Sequence, residues 1–320
     1  MPVQHKLDGI YSPVLTPFKA DLSPDLDAFI FHCGWLLDSG VGLAVFGTNS
    51  EANSLSVAER RMLLDALLEA GLPAVRMMPG TGCCSLSDTV ELTRHATLAG
   101  VGGVLMLPPF YYKGVSEDGL FRHYAEVIER VADDRLRIYL YHIPPVAQVP
   151  ITFGLIERLL KAYPSAIAGI KDSSGDWGNT EGMLREFQPV GFDVFAGSEL
   201  FLLRTLRGGG AGCITATGNV NPAPMVALFK SWRDADADRQ QAALDVTRAA
   251  FQKFPLIAAM KAAVAEYGGM PSLGTVRPPL VGLEPHDKQA LLASLTTLRL
   301  RMPGFERLHD ALAGSHVGHT

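Results

Sequence analysis

SAIAGIKDSSGD, residues 165–176, is a short apolar run that ends abruptly on Lys171. Ala166, Ile167, Ala168, Gly169 and Ile170 are apolar without alternation, the pattern of a strand covered on both faces in a parallel sheet. Lys171 stands where that strand leaves the core. An ammonium is costly to bury without a partner, so a lysine here has two readings. It pairs with Asp172 or another carboxylate at the sheet edge, or it is a desolvated amine that sheds its proton readily and attacks a ketone to form a Schiff base.

Outward from this stretch, similar short runs recur at residues 10–15, 42–46, 74–78, 103–107, 137–141, 193–196 and 212–215, with 167–170 completing eight. Segments at helical spacing lie between them, at 25–39, 56–70, 87–99, 116–131, 152–163, 179–186 and 199–207, and Pro222 opens another. Ser56 with Glu59 three residues on reads as a capping box, and Gly71 is placed to stop that helix. Regular strand–helix alternation predicts a parallel sheet, and eight units predict an α/β fold of the closed (β/α)8 TIM-barrel kind. An open doubly wound sheet is the alternative, but no GxGxxG follows the first strand. The barrel is expected over residues 1–235. Beyond it, alanine-rich helical spacing over 235–267, a Gly/Pro-rich region over 268–285 and a last helix near His286 predict an all-helical C-terminal extension, 236–320, with a frayed tail over 314–320.

Composition narrows the function. The 320 residues are 48% hydrophobic with a formal charge of −5, which fits a globular enzyme with a sizeable core. No basic patch interleaved with aromatics points to nucleic acid, and no apolar stretch approaches the ~18 residues that cross a bilayer. The N-terminal MPVQHKLDGIYSP lacks the regions of a secretory signal, so a cytoplasmic location is expected. Cys33, Cys83, Cys84 and Cys213 show neither CxxC nor metal-ligand spacing, and His142, Asp172 and Glu199 have no characteristic ligand spacing either. No metal and no cofactor are expected.

In a barrel, chemistry lies on the loops after the strands' C-terminal ends. Three such loops stand out. Gly47, Thr48, Asn49, Ser50 and Glu51 offer backbone N–H groups and polar side chains suited to a carboxylate, though GTN also reads as an ordinary polar turn. Tyr141 ends the strand RIYLY, where its phenol either relays protons at the same mouth as Lys171 or satisfies a single core hydrogen bond. Lys171 is the third. The run Gly208–Gly210, Ala211, Gly212 resembles a phosphate cradle but precedes a strand, on the structural face, and reads as a turn.

With these loops in view, the chain resembles the dihydrodipicolinate synthase and N-acetylneuraminate lyase family of class I, Schiff-base aldolases. Ordered motifs carry the likeness: GTNSEANSLSVAER from Gly47, PPFYYKG from Pro108, YHIPP from Tyr141, GIKDSSGD from Gly169, ITATGNVNP from Ile214 and PLIAAMKAAVAEYGG in the helical tail. The resemblance implies that Lys171 forms an imine with a 2-oxo acid, usually pyruvate, that Tyr141 shuttles the proton, and that Thr48 and Asn49 hold the carboxylate. The backbone carbonyl of Ile214 would line the imine pocket. Tyr111, or Tyr112, would complete a proton relay across a dimer interface, in a homotetramer built as a dimer of dimers.

Departures from the family pattern matter too. Where the lysine-biosynthesis branch carries an arginine to grip a second carboxylate, this chain has Val146, flanked by Pro145 and Ala147. Asn49 replaces a usual threonine and Ser50 a usual glycine. The resemblance is nearer to 4-hydroxy-2-oxoglutarate and 2-keto-3-deoxy sugar-acid aldolases. It implies a metal-independent lyase splitting a hydroxylated 2-oxo acid into pyruvate and an aldehyde. The alternatives are a dehydratase or deaminase on the same imine, 4-hydroxy-tetrahydrodipicolinate synthase, a non-catalytic 2-oxo acid binder and a metal-dependent aldolase. Val146, Ser173 and Asp176 are the residues expected to shape the aldehyde pocket.

Overall fold

The computed structural model describes residues 7–305. Seven strands form one parallel sheet: β1 (Gly9–Ser12), β2 (Gly42–Leu43), β3 (Val104–Met106), β4 (Ile138–His142), β5 (Ile167–Asp172), β6 (Asp193–Ala196) and β7 (Gly212–Ile214). Their order is β2-β1-β7-β6-β5-β4-β3, so the two ends of the sheet are β2 and β3. The chain at 77–81 spans that gap. Met78 N–H donates to the Leu43 carbonyl at 2.7 Å and Gly80 N–H to that of Val45 at 2.7 Å, while Leu105 N–H donates to the Pro79 carbonyl at 2.9 Å. Parallel bridges pair Leu43 with Met77 and Gly80 with Leu105. The eighth stave therefore exists, and the sheet closes into a TIM barrel.

The strand expected over 74–78 is displaced and broken. Ala74–Arg76 forms a 3-10 turn, and pairing begins only at Met77. Pro79 interrupts the stave because it has no N–H to give, leaving isolated bridges in place of a ladder. Gly80 is required by closeness: a Cβ there would stand 2.0 Å from the Phe46 carbonyl oxygen.

Helices follow the strands as the spacing predicted. Leu26–Asp38, Val57–Glu69, Leu86–Leu98, Glu117–Val131, Phe153–Ala162, Trp177–Phe187, Leu202–Arg207 and Pro222–Ser231 clothe the barrel. Ser56 and Glu59 form the expected capping box, each side chain holding the other's backbone N–H. The Gly208–Gly212 run is a turn, with Gly209 at φ 81° and Gly210 N–H on the Thr205 carbonyl. Helical spacing over 235–267 resolves into two helices, Ala237–Phe251 and Leu256–Gly268, because Pro255 disfavours helical backbone before it. The last helix is Pro285–Thr297, and the tail 314–320 lies outside the described residues. No helix among the described residues is long and apolar enough to cross a membrane.

Two apolar layers result. Ile138, Leu140, Ile167 and Ile170 face outward into the core between sheet and helices. Tyr11, Met78, Leu105, Tyr139, Tyr141, Phe195 and Ile214 form a second cluster inside the barrel, where Tyr139 donates to Asp193 at 3.1 Å.

Arg277, in the loop before the last helix, ties the C-terminal part to the barrel. Its side chain donates to the carbonyls of Leu22 and Ser54 and to both carboxylate oxygens of Glu59, and its N–H donates to Glu51 at 2.8 Å. The Arg277 side chain foremost, and the Ser56 N–H and hydroxyl after it, pull the Glu59 carboxyl from its ordinary 4.5 down to about 2. A carboxylate depressed in the folded state stabilises it fully above its unfolded value and less as pH falls through the folded one. Stability is expected to drop as pH is lowered from 4.5 toward 2. Arg277→Gln should be less stable at neutral pH and show a shallower acid decline, read from urea midpoints across that window.

Candidate active site

Lys171 points into the barrel because β5 carries an irregularity. Ile138 pairs with Ile167, but the next residue, Tyr139, pairs with Gly169, so one extra β5 residue is accommodated there. Alternation counted from outward-facing Ile167 would aim Lys171 outward; the extra residue reverses the parity, as a β-bulge does. Ile170 consequently joins the outer core and Lys171 the interior, 2% exposed, with its Nζ 4.2 Å from the centroid of the Tyr141 ring.

The same parity removes Asp172 as a counter-ion. Its carboxylate faces the helix Trp177–Phe187 and accepts from Ser174 N–H at 2.9 Å, Asn179 Nδ2 at 3.1 Å and Thr180 Oγ1 at 2.6 Å. Among the described residues Lys171 forms no ion pair. Of its two sequence readings, the pairing with Asp172 is not what the fold adopts.

Tyr141 and Lys171 are register partners on β4 and β5. The Tyr141 hydroxyl lies 3.2 Å from Thr48 Oγ1, which joins the loop after β2 to the end of β4. Thr48, Asn49, Tyr141 and Lys171 line one cavity of about 690 Å³, together with Val146 and Ser173. Ser50 does not reach it: its hydroxyl accepts the Gly47 N–H at 3.1 Å and its carbonyl accepts from Thr16, so the side chain braces the loop. Ile214 is buried in the inner cluster beside Tyr141, and Ala216, two residues on, lines the cavity instead. Tyr111 and Tyr112 stand outside it, 74% and 72% exposed, edge to face on each other. Asp176 is likewise absent from the lining; its carboxylate caps the helix Trp177–Phe187 through Gly178 N–H.

The three side chains considered as metal ligands have other partners. His142 Nδ1 accepts from Ile151 N–H at 3.0 Å, and burial lowers the ring's pKa. Glu199 is buried against the Thr215 and Thr217 hydroxyls and Arg248, whose Nη1 is 3.3 Å away. Asp172 is saturated as described.

Sequence reading missed the far wall. Arg248, Gln252, Leu256, Ile257, Leu280 and Val281 line the cavity from segments taken as a mere extension. Lys261 was the available signal, a charge inside the apolar run IAAMKAAVA. Its Nζ, fully buried, pairs with Glu51 and donates to the Thr275 carbonyl. Glu51 sits at φ 56°, a left-handed backbone uncommon for a residue with a Cβ, directly after the Thr48–Asn49 turn. The buried pair holds that loop against the helix Leu256–Gly268.

A parallel barrel with a phenol and a buried amine that has no ion-pair partner among the described residues, both at the C-terminal mouth of adjacent strands, is a candidate site of the barrel lyase class. A model of the Dihydrodipicolinate synthetase family matches residues 6–298, and the chain belongs to that family and is a lyase. A relative from Chloroflexus aurantiacus, an "Uncharacterized DapA-like lyase", is 35% identical over 89% of this chain and 95% of its own. The Agrobacterium tumefaciens dihydrodipicolinate synthase structure superposes with TM-score 0.83 at 32% identity, covering 91% of this chain and 99% of that one. YagE of Escherichia coli, solved with pyruvate, gives 0.83 at 30% identity, covering 92% and 99%; it is described as a putative 2-dehydro-3-deoxy-D-gluconate aldolase.

Two outcomes are expected. Tyr141→Phe should lower kcat by about 10²- to 10⁴-fold while changing 2-oxo acid binding little, as steady-state and direct binding measurements would show; equal losses would indicate a binding role. Lys261→Met, which strands Glu51 as a buried charge, should cost about 3–5 kcal/mol in urea unfolding, and adding Glu51→Gln should recover part of it.

Proposed function

We propose that this chain is a class I aldolase that reversibly cleaves a hydroxylated 2-oxo acid into pyruvate and an aldehyde through an imine on Lys171. The observation that carries this reading is the Lys171 amine itself, buried, without a carboxylate partner among the described residues, and set against Tyr141 in the cavity. Thr48 and Asn49 hold the substrate carboxylate through hydroxyl, amide and turn N–H groups. The amine attacks the keto carbon, and the carbinolamine loses water with Tyr141 moving the proton. The C4 hydroxyl then gives up its proton, the C3–C4 bond breaks, and its electron pair passes through the imine to nitrogen, leaving an enamine and the free aldehyde. Protonation at C3 and hydrolysis return pyruvate and Lys171. The imine is the electron sink, so the route uses no metal or cofactor.

Val146, at the cavity and 61% exposed, disfavours the alternative of 4-hydroxy-tetrahydrodipicolinate synthesis, since no guanidinium stands there for a second carboxylate. Tyr111 completes the proton relay in this proposal by serving the cavity of a second copy, in a dimer of dimers; its exposure in the single chain supports that role.

Borohydride added with pyruvate should leave one stable adduct, located on Lys171 by peptide mass spectrometry and absent from Lys171→Ala. Unmodified protein after reduction would refute the imine.

A further inference from the structure

The cavity is larger than pyruvate needs, and its chemistry away from Lys171 is specific. Three charged side chains line it: Lys171, Asp172 and Arg248. Lys171 is consumed in the imine. The Asp172 carboxylate turns outward into the Ser174, Asn179 and Thr180 cluster. Arg248 is ion-paired with Glu199 at 3.3 Å, and the same Nη1 lies 3.4 Å from Thr215 Oγ1, so its charge has a carboxylate partner, while its buried Nε has no hydrogen-bond partner among the described residues. Among the described residues lining the cavity, a second substrate anion would meet no cation that lacks a carboxylate partner once Lys171 is in the imine.

The wall beyond the amine is instead built from Val146, Phe201, Leu256, Ile257, Leu280 and Val281. Val146 and Val281 are 61% and 77% exposed, apolar surface left open at the mouth of the cavity. Among the neutral polar side chains there, Ser198 is occupied by Leu200 N–H at 3.3 Å. Ser173 and Gln252 remain, enough to meet the single hydroxyl that cleavage requires but not a chain of them. Unmatched hydroxyls against such a wall lose their water without replacement.

Resting on the imine reading above, we propose that the aldehyde half of the substrate is uncharged and apolar, an aliphatic or aryl aldehyde, and that the preferred 2-oxo acid carries such a group in place of a second carboxylate or a polyol. Burial of that group against the wall supplies the selectivity.

Reductive trapping in competition tests this without needing turnover. The full chain is first shown to be labelled by pyruvate and borohydride. It is then incubated with equimolar 4-phenyl-2-oxobutanoate, 2-oxoglutarate and 5,6-dihydroxy-2-oxohexanoate, none of which has the hydroxyl needed for cleavage, reduced, and read by intact mass. The phenyl adduct should exceed either polar adduct by about 10-fold or more. Predominance of the 2-oxoglutarate adduct would mean that Arg248 grips a second carboxylate, and predominance of the polyol adduct would assign a sugar acid. Either result, equal labelling, or labelling by pyruvate alone overturns the apolar assignment and leaves the imine standing. Absence of labelling by pyruvate itself would instead overturn the imine reading on which the proposal rests.

Discussion

The site depends on an amine that faces an aromatic ring where a carboxylate would ordinarily stand. Lys171 is buried, and the nearest acidic side chain in sequence, Asp172, is directed away and saturated by three donors. Strand alternation keeps Lys171 and Asp172 on opposite faces, and one irregularity in β5, which reverses the alternation between Ile167 and Ile170, makes Lys171 the one that faces inward. A parallel barrel then sets Tyr141 beside Lys171 as its register partner. The geometry of the candidate site is a consequence of strand pairing.

The C-terminal helices form part of the site as well as its support. The helix Leu256–Gly268 contributes Leu256 and Ile257 to the cavity and, one turn further on, Lys261 to the buried pair with Glu51. Arg277 fastens the following loop to Glu59 and to the Leu22 and Ser54 carbonyls, which places Leu280 and Val281 at the cavity's mouth. Buried ion pairs add little net stability relative to apolar packing, but breaking one is costly, so they fix an arrangement strongly. The Thr48–Asn49 turn and the apolar wall are thereby held in one fixed relation.

Much of this was legible in advance. Regular alternation of apolar runs and capped helices indicated a closed barrel, and GTN, YHIPP and GIKD marked the three loops that converge. The errors have physical causes. A stave over 74–78 looked continuous because Val75, Met77 and Met78 are apolar, yet Pro73 and Pro79 on either side confine pairing to isolated bridges. Asp176 looked like a pocket residue because it follows Lys171 closely, but an aspartate just before a helix finds backbone donors at once. Ser50 looked like a disturbance of carboxylate binding and proves to be a brace.

The sequence by itself determined the fold class and the identity of the chemical groups, because periodicity, caps and strand-end positions are local properties encoded over a few residues. Tertiary structure alone decided which way Lys171 faces, that Asp172 is not its partner, and that Arg248, Leu256 and Val281 share its cavity. Those facts turn on a one-residue shift in strand pairing and on contacts between segments more than 70 residues apart. No local pattern records either.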